Sequence, residues 1–600
     1  MSDSNGYTPK RCVPPRCRLC QLPISKNEQF IAIKDYGLQS AQYAYALVLK
    51  DETLGLKLRP CDGLCSHSQG LLNGYHPECA AYIKHMSRET FEWFLRVTKY
   101  SFEPRESEIP RRQNYIRRYI ETLIQVTLRP IFDIPKEVCS IIRKNLDHRP
   151  YAIKTTVDQL KSGISRLNPE LSSRIDIESG LWVQYVVLDH HHYISALGNT
   201  RNVETSSCVL AADKAKRVDT LYVLHDHLGV RQMKFTEPGD GIESLGTNGS
   251  MGRAWWETIS LSTKTVWVEF DGLKLRRITN SAESASTESH CVTWPVPMPQ
   301  NQIDPLHFHD IRKFASKSTS RDFLRMIPVE LNSKETTGIS VCWNRLPIAI
   351  YGHKKGEKPP VYPSPEKSFR DAVWIYTPLN AGEIIVSMWL LYNDKASTVS
   401  LTVETNKGRV VTIGYYRVIQ PPIPDRRVFK ATEGASRIYF DDSPIGIRQL
   451  ATSSPYEERQ APSLKASFKI NKELLTKTLI YTSAPLRNVS EVVPCQRTYR
   501  DYSQITGLLF CYSDGTLASV GDFKLDRDHR TLQVGSSKNL CLGLVNNEKQ
   551  HYVSRIEVDP LADRGSLEWV EYPWEGEIEW LFDCWRTHVY HNDRSSQELQ

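Results

Sequence analysis

No apolar run in this chain is long enough to cross a bilayer as a helix. The longest, such as Glu383 to Tyr392, stop well short of the roughly 20 residues a span requires. The opening Met-Ser-Asp-Ser-Asn-Gly leads into Lys10 and Arg11 with no apolar stretch behind them, so neither a secretory nor a lipidation signal is expected. The chain is accordingly expected to be intracellular, cytoplasmic or nuclear, with no membrane partner. An excess of one charge is lacking too: 76 Lys and Arg face 69 Asp and Glu, for a net charge of +7. That mixture is too even for the dense electrostatic footprint of a dedicated nucleic-acid binder, and nucleic acid is not an expected partner. Nor is there a nucleophile elbow, a Walker loop or a dinucleotide fingerprint. Gly239-Asp-Gly241 and Gly246 lie in a polar loop without the strand-to-helix context that a phosphate cradle needs. Together these absences predict a binding protein rather than an enzyme.

Cysteine, by contrast, is plentiful at one end. Six of the 14 cysteines fall before residue 80, and in a reducing compartment they are expected as thiols or metal ligands rather than disulfides. Cys17-Arg-Leu-Cys20 gives one Cys-x2-Cys pair, and Tyr75-His76-Pro-Glu-Cys79 gives one His-x2-Cys pair. Two short knuckles that each present two ligand atoms close the tetrahedral shell of a single ion. Cys17, Cys20, His76 and Cys79 are therefore the predicted ligands of one structural zinc, with no open position for catalysis. Cys12, Cys61, Cys65 and His67 are further candidates, but the eight-ligand spacing of a RING is not completed, because no paired cysteines follow Cys79. Buried free thiols with a surface His76 would account for the same letters.

A length of 600 residues predicts roughly three to four domains. Residues 1–105 are read as a small zinc-stapled α+β module and 106–177 as a helical linker. Ile116, Ile120, Leu123 and Ile124 recur at helical spacing over Arg111 to Leu128, and Pro130 ends that helix. Further helices are expected over Ile134 to Leu146 and near Val157 to Leu167. From about residue 178, apolar and polar residues alternate in runs such as Leu181 to Ser195, Thr220 to Phe235, Thr265 to Ile278, Ile339 to Tyr351 and Ile505 to Val520, which is the period of strands. The expected fold class is mainly β: tandem antiparallel β-sandwich or β-prism-like domains over 178–360 and 361–590, with a tail at 591–600. Within Gly382 to Tyr416, Ile384, Val386 and Met388 are expected to share one buried face, with Asn406, Lys407 and Gly408 at the following turn.

Ile134-Pro135-Lys136-Glu137-Val138, followed by Ile141, Ile142 and Leu146, resembles the opening of an F-box, where a Pro-Glu start leads into an amphipathic helix. That resemblance implies a ubiquitin-ligase scaffold as a partner. Pro135 in a first helical turn with Asp133 near its cap explains the same letters as an ordinary packed helix. Gly382-Glu-Ile-Ile-Val-Ser-Met and Leu401-Thr-Val-Glu-Thr-Asn-Lys-Gly-Arg409 with Gly414 resemble jacalin-related β-prism lectins, and Ile505-Thr-Gly-Leu-Leu-Phe-Cys-Tyr-Ser-Asp-Gly515 with Gly521 echoes them. The glycine-rich and acidic sugar-holding loops of those lectins have no match here. Taken with Asp226-His-Leu-Gly-Val-Arg231, Trp255-Trp256 and Asp271-Gly-Leu-Lys-Leu-Arg276, these features are similar to a family of large filamentous-fungal proteins. The similarity implies the architecture and no catalytic residues.

Three histidine groups allow one more reading: Asp189-His-His-His192, His225-Asp-His227 and His307-Phe-His309. Residues two apart on a strand share a face, so either His-x-His pair is able to hold an ion, although catalysis would need a further ligand at matching depth. The expectation is thus a non-enzymatic adaptor that recognises a protein partner or a glycan. A carbohydrate-binding lectin-like protein is the alternative, and a metal-dependent enzyme using the His-x-His pairs a remote one.

Overall fold

The computed structural model describes residues 9–592 except 46–47, 62–69, 103, 105–107, 128–134, 136, 140, 142–145, 147, 165–171, 202–204, 241–253, 281–290, 312–322, 358–361, 363–370, 394–397, 416–424, 433, 444–445, 456, 463–478, 499–501, 527–529, 547–550, 560–565 and 584. The described chain is mainly β, with its longer helices confined to the region before residue 165. Contacts divide it into two compact units, residues 1–304 with 315–325, and residues 305–314 with 326–600.

The first unit opens with small sheets. Lys10–Val13 lies parallel to Leu56–Pro60, and Gln29–Asp35 pairs with Leu38–Gln39, Tyr43–Ala44 and Asn73–Tyr75. Helix α1 (Pro77–Ile83) follows, then α2 (Arg88–Val97), whose N-cap Ser87 accepts a hydrogen bond from Thr90 N. Phe91, Trp93, Phe94 and Val97 lie on the buried face of α2. The predicted arginine-rich helix is α3 (Glu108–Thr127); Ile116, Ile120 and Ile124 are buried, as the helical spacing requires, and Leu123 is half-buried. Helix α4 (Arg149–Ile164) begins earlier than expected and buries Ala152, Val157 and Leu160 beside α3.

Of the expected helix over 134–146, residues 137–139 and 141 are helical, while Ile134 and Ile142 lie outside the described residues. Cys139 is buried, but Ile141 is 58% exposed and Val138 41% exposed. A packed helix here would bury Ile141, and instead the core side of this turn is taken by Cys139.

Over residues 172–279 the described strands of the first unit form three sheets of three strands. Each is a hairpin plus one further strand: Leu181–Leu188 and His191–Gly198 with Ser207–Leu210, Thr220–His225 and Val230–Thr236 with Trp255–Ser260, Thr265–Phe270 and Leu275–Thr279 with Ser172–Asp176. The third sheet is thus completed by the strand that precedes the first. Ile175, Val183, Ile194, Val223, Val230, Ile259, Val268 and Leu275 come from all three sheets and pack in one core. A second core lies at the hairpin tips, where Leu188, Tyr193, Leu228 and Leu273 join the apolar residues of the N-terminal sheets and helices. The segments 1–105, 106–177 and the first β region therefore fold around shared apolar contacts.

In the second unit the strands are again antiparallel. Thr336–Asn344 pairs with Leu346–Lys354 and with Val373–Pro378, so one sheet joins residues on both sides of the expected boundary at 360/361. Ile385–Asn393, Thr398–Thr405 and Val410–Ile413 form the meander expected over Gly382 to Tyr416. Its turn is the predicted one: Gly408 N donates to Thr405 O at 2.9 Å, and Gly408 sits at φ +75°, where a side chain would be strained. The expected face is corrected. A bulge between Ile385 and Ser387 shifts the register by one, so Ile385, Met388, Leu390 and Tyr392 enter the core while Ile384 and Val386 are only half-buried. Val489–Thr498 with Ser503–Tyr512, and Asn539–Asn546 with His551–Val558, belong to a larger sheet, and Ile480–Pro485, Glu577–Phe582 and Thr587–Asn592 form a smaller one. Among the described residues no helix is long and apolar enough to cross a membrane.

Candidate metal centre

Cys17 and Cys20 sit on a tight knuckle. Cys17 N donates to Leu22 O and Gln21 N donates to Cys17 O, and Gln21 takes φ +63° to close the turn. Arg18 N donates to Gly74 O at 3.0 Å, which fixes the knuckle beside the strand Asn73–Tyr75. That strand delivers His76 to the N-cap of α1, Pro77 starts the helix with its preset φ, and Cys79 follows in the first turn. The positive end of the helix favours a thiolate there.

The four predicted side chains are brought together. Their ligand atoms all lie within 4.8 Å of one another, and all four residues are buried. Sulfur and nitrogen held at zinc-bond lengths on a tetrahedron are separated by about 3.5 Å, and two sulfurs by about 3.8 Å. Cys20 Sγ is 3.4 Å from His76 Nδ1, which matches. His76 Nε2 faces the other way and donates to Pro23 O at 3.2 Å, so Nδ1 is the nitrogen left for a metal and the carbonyl holds the ring in place.

The electrostatics of the bare side chains point the same way. Burial opposes ionisation of Cys17, yet hydrogen bonds from Cys20, Cys79 and His76 hold its thiol well below the ordinary range. Burial and the Cys17 sulfur push Cys20 up, and hydrogen bonding to Cys17 and Cys20 raises Cys79. The cluster thus supports one ready thiolate and two reluctant ones, a frustration that a divalent cation relieves by ionising all three. The donor set, its closure and its burial fit one structural zinc. Cys12 is buried and Cys61 half-buried, both outside this cluster, while Cys65 and His67 lie outside the described residues.

At least one histidine of each pair is engaged elsewhere. His225 Nε2 lies 2.8 Å from Glu257 Oε2, and His227 packs edge-on against Tyr100. His309 Nε2 lies 3.1 Å from the Ser454 carbonyl oxygen and from Thr452 Oγ1, while His307 is exposed. His191 Nδ1 accepts from Arg231, and His190 packs on Tyr115. Among the described residues no third metal-ligating side chain joins either His-x-His pair. Trp255 and Trp256 are buried in sheet packing. The loop carrying Gly241 and Gly246 lies outside the described residues.

A short sequence repeat joins the N-terminal region to the three-sheet region. Asp226-His-Leu-Gly-Val-Arg231 and Asp271-Gly-Leu-Lys-Leu-Arg276 repeat the pattern Asp-x-Leu-x-apolar-Arg, and both are hairpin tips. Asp226 Oδ1 accepts from Leu228 N and Gly229 N, and Asp271 Oδ1 accepts from Leu273 N and Lys274 N. Each leucine enters the N-terminal core and each following apolar residue enters the three-sheet core. Around them Tyr193 donates to Asp226 at 2.6 Å, Lys274 Nζ donates to Asp271 and to Val97 O, both at 2.7 Å, and Arg112 pairs with Asp189. The six-letter spacing within the repeat was the signal available in the sequence.

No protein-family model matches the chain, and no curated protein matches it.

Proposed function

We propose that the chain is a non-enzymatic adaptor in which one zinc, held by Cys17, Cys20, His76 and Cys79, staples the N-terminal module, and the β-rich remainder recognises a protein partner. The observation that carries this reading is the closed, wholly buried donor set: three sulfurs and one ring nitrogen leave no position for substrate. The separate contacts of His225 and His309 support it. Exposed Val138 and Ile141 on the F-box-like turn suit docking of a ubiquitin-ligase scaffold. Two measurements test the reading. Elemental analysis of purified protein should give about one zinc per chain, falling to background in Cys17→Ser/Cys79→Ser. Titration with a purified ubiquitin-ligase scaffold protein should show binding that Val138→Asp/Ile141→Asp abolishes without loss of zinc. A zinc-free folded N-terminal region would refute the staple, and unchanged binding in the double variant would refute the docking site.

A carbohydrate-binding, lectin-like body is the second reading. It is favoured by the three sheets around one core, the third completed by the strand that precedes the first, an arrangement that suits a β-prism. A glycan array with the full chain discriminates the two: a reproducible ligand supports the lectin reading, and a silent array beside scaffold binding supports the adaptor.

A further inference from the structure

In the first unit a cleft of about 400 Å³ opens between the strand Trp255–Ser260, the end of the strand Leu275–Thr279 and the segment from Cys291. That volume is in the range of small-molecule sites. Two opposite charges line it, Glu257 and Arg277, and no ion pair joins them. Arg277 is half-buried, and its Nε is shielded from solvent with no hydrogen-bond acceptor among the described residues. The shielded Nε is out of a ligand's reach, and the guanidinium offers the cleft its terminal nitrogens, which are not among the shielded atoms and favour a carboxylate.

Glu257 is held from behind. His225 lies 2.8 Å from its Oε2, and the side chains of His225 and Glu257 are 1% and 14% exposed. The buried Cys291 thiol, pushed well above its ordinary range by burial and by Glu257, stays protonated and is hydrogen-bonded to the same carboxylate. A thiol in that state is a donor that orients Glu257, not a nucleophile. The remaining wall is mixed: Thr258, whose hydroxyl donates to Met298 O at 2.6 Å, Ser260 and the apolar Ile303.

We propose that this cleft binds a small zwitterion of the amino-acid or dipeptide class, its carboxylate on Arg277 and its ammonium on Glu257. A cation and an anion that line one space without meeting are complementary to a ligand that carries both charges and is neutral overall. A simple anion would meet Arg277 but be opposed by Glu257, and a simple amine the reverse. The site is independent of the zinc staple and of the adaptor and lectin readings.

The test is calorimetric titration of the full chain with L-leucine, L-glutamine and glycyl-leucine, beside N-acetyl-leucine, which lacks the ammonium, and leucine amide, which lacks the carboxylate. At least one of the three zwitterions should bind saturably, both blocked derivatives at least tenfold more weakly. Arg277→Gln and Glu257→Gln should each weaken the zwitterion at least tenfold. Ile303→Trp, at the half-buried rim, should block the cleft and keeps the test open if either charge variant fails to fold. Absence of saturable binding by all three zwitterions, or equal binding of a blocked derivative, overturns the proposal.

Discussion

Lys274 is a deeply placed cation of the first unit, with its side chain fully shielded from solvent. Burial pulls its pKa down to about 8 against the opposing pull of Asp271. Its two hydrogen bonds, to Asp271 and to the carbonyl of Val97, tie a hairpin tip to the end of α2. Removing one member of a buried pair leaves the other charge unpaired, at a cost of about 3–5 kcal/mol. Lys274→Ala should therefore destabilise the first unit by an amount near the lower end, because Arg276 Nη1 stays 3.8 Å from Asp271. Urea unfolding of the variant against wild type measures it, and a change below about 1 kcal/mol would show that the pair is dispensable. None of this was legible from composition. A lysine among arginines and aspartates reads as surface until the repeat Asp-x-Leu-x-apolar-Arg is recognised as a turn whose neighbours face inward.

His353 makes a pH-dependent prediction in the second unit. It is buried, its Nε2 lies 2.8 Å from Ser340 Oγ, and burial lowers its pKa to about 4. An unfolded histidine titrates near 6.5. Between these values the unfolded chain binds more protons, so stability rises with pH. The contribution is complete above about pH 6.5 and is lost as the pH falls through 4. Urea midpoints should drop from pH 7 to pH 5 in wild type, and by less in His353→Gln, whose side chain does not titrate. An identical acid loss in both proteins would remove His353 from the explanation.

At the scale of elements, strands and turns were the most legible part of the chain. Alternation located Leu181–Leu188, Thr220–His225 and Thr265–Phe270, and Asn406-Lys407-Gly408 marked its turn, because period and turn chemistry are local properties. Faces were less legible. The bulge at Ile385 to Ser387 inserts one residue, and strict alternation read across it assigns Ile384 and Val386 to the wrong side. A tail of flanking apolar residues hid this, since both faces of Ile385–Asn393 carry large side chains.

Two glycines of the hairpin Ser503–Tyr512 and Leu517–Gly521 separate conformational strain from packing. Gly515 stands at φ +81° in open space, whereas Gly521 stands at φ +77° with the position of a Cβ only 2.3 Å from Thr506 O and 2.7 Å from Gly507 Cα. Gly515→Ala should cost about 1 kcal/mol, the ordinary penalty for a left-handed residue. Gly521→Ala adds a backbone clash that nothing flexible relieves, and should cost several times more. Comparable losses in the two variants, measured by urea unfolding, would contradict the close packing at Gly521.

For the whole molecule, the cluster of Cys17, Cys20, His76 and Cys79 was legible because ligand spacing is short-range even when the two knuckles lie far apart in sequence. The 304–326 division was not, because the three-sheet region and the later strands share one alternating pattern. A structural zinc contributes on the order of 10 kcal/mol to a small module. With the proposed zinc held by this cluster, chelation should open the first unit while the second unit keeps its fold. Limited proteolysis with and without chelator, read by mass spectrometry, should show new cleavage before residue 304 and retained protection over Ser503–Tyr512. Simultaneous loss of protection in both regions, or in neither, would count against a local staple.

The leucines at the hairpin tips also dictate how the gene can be cut. Leu188, Leu228 and Leu273 belong by sequence to the β region, yet the residues that cover them come from the N-terminal sheets and helices. An expression boundary set at 177/178, where strands begin and a domain would ordinarily be excised, leaves these side chains bare together with a lysine and an aspartate meant for the interior. Such a fragment should precipitate or associate, and a recombinant product that behaves as a monomer will need to begin upstream of Cys17.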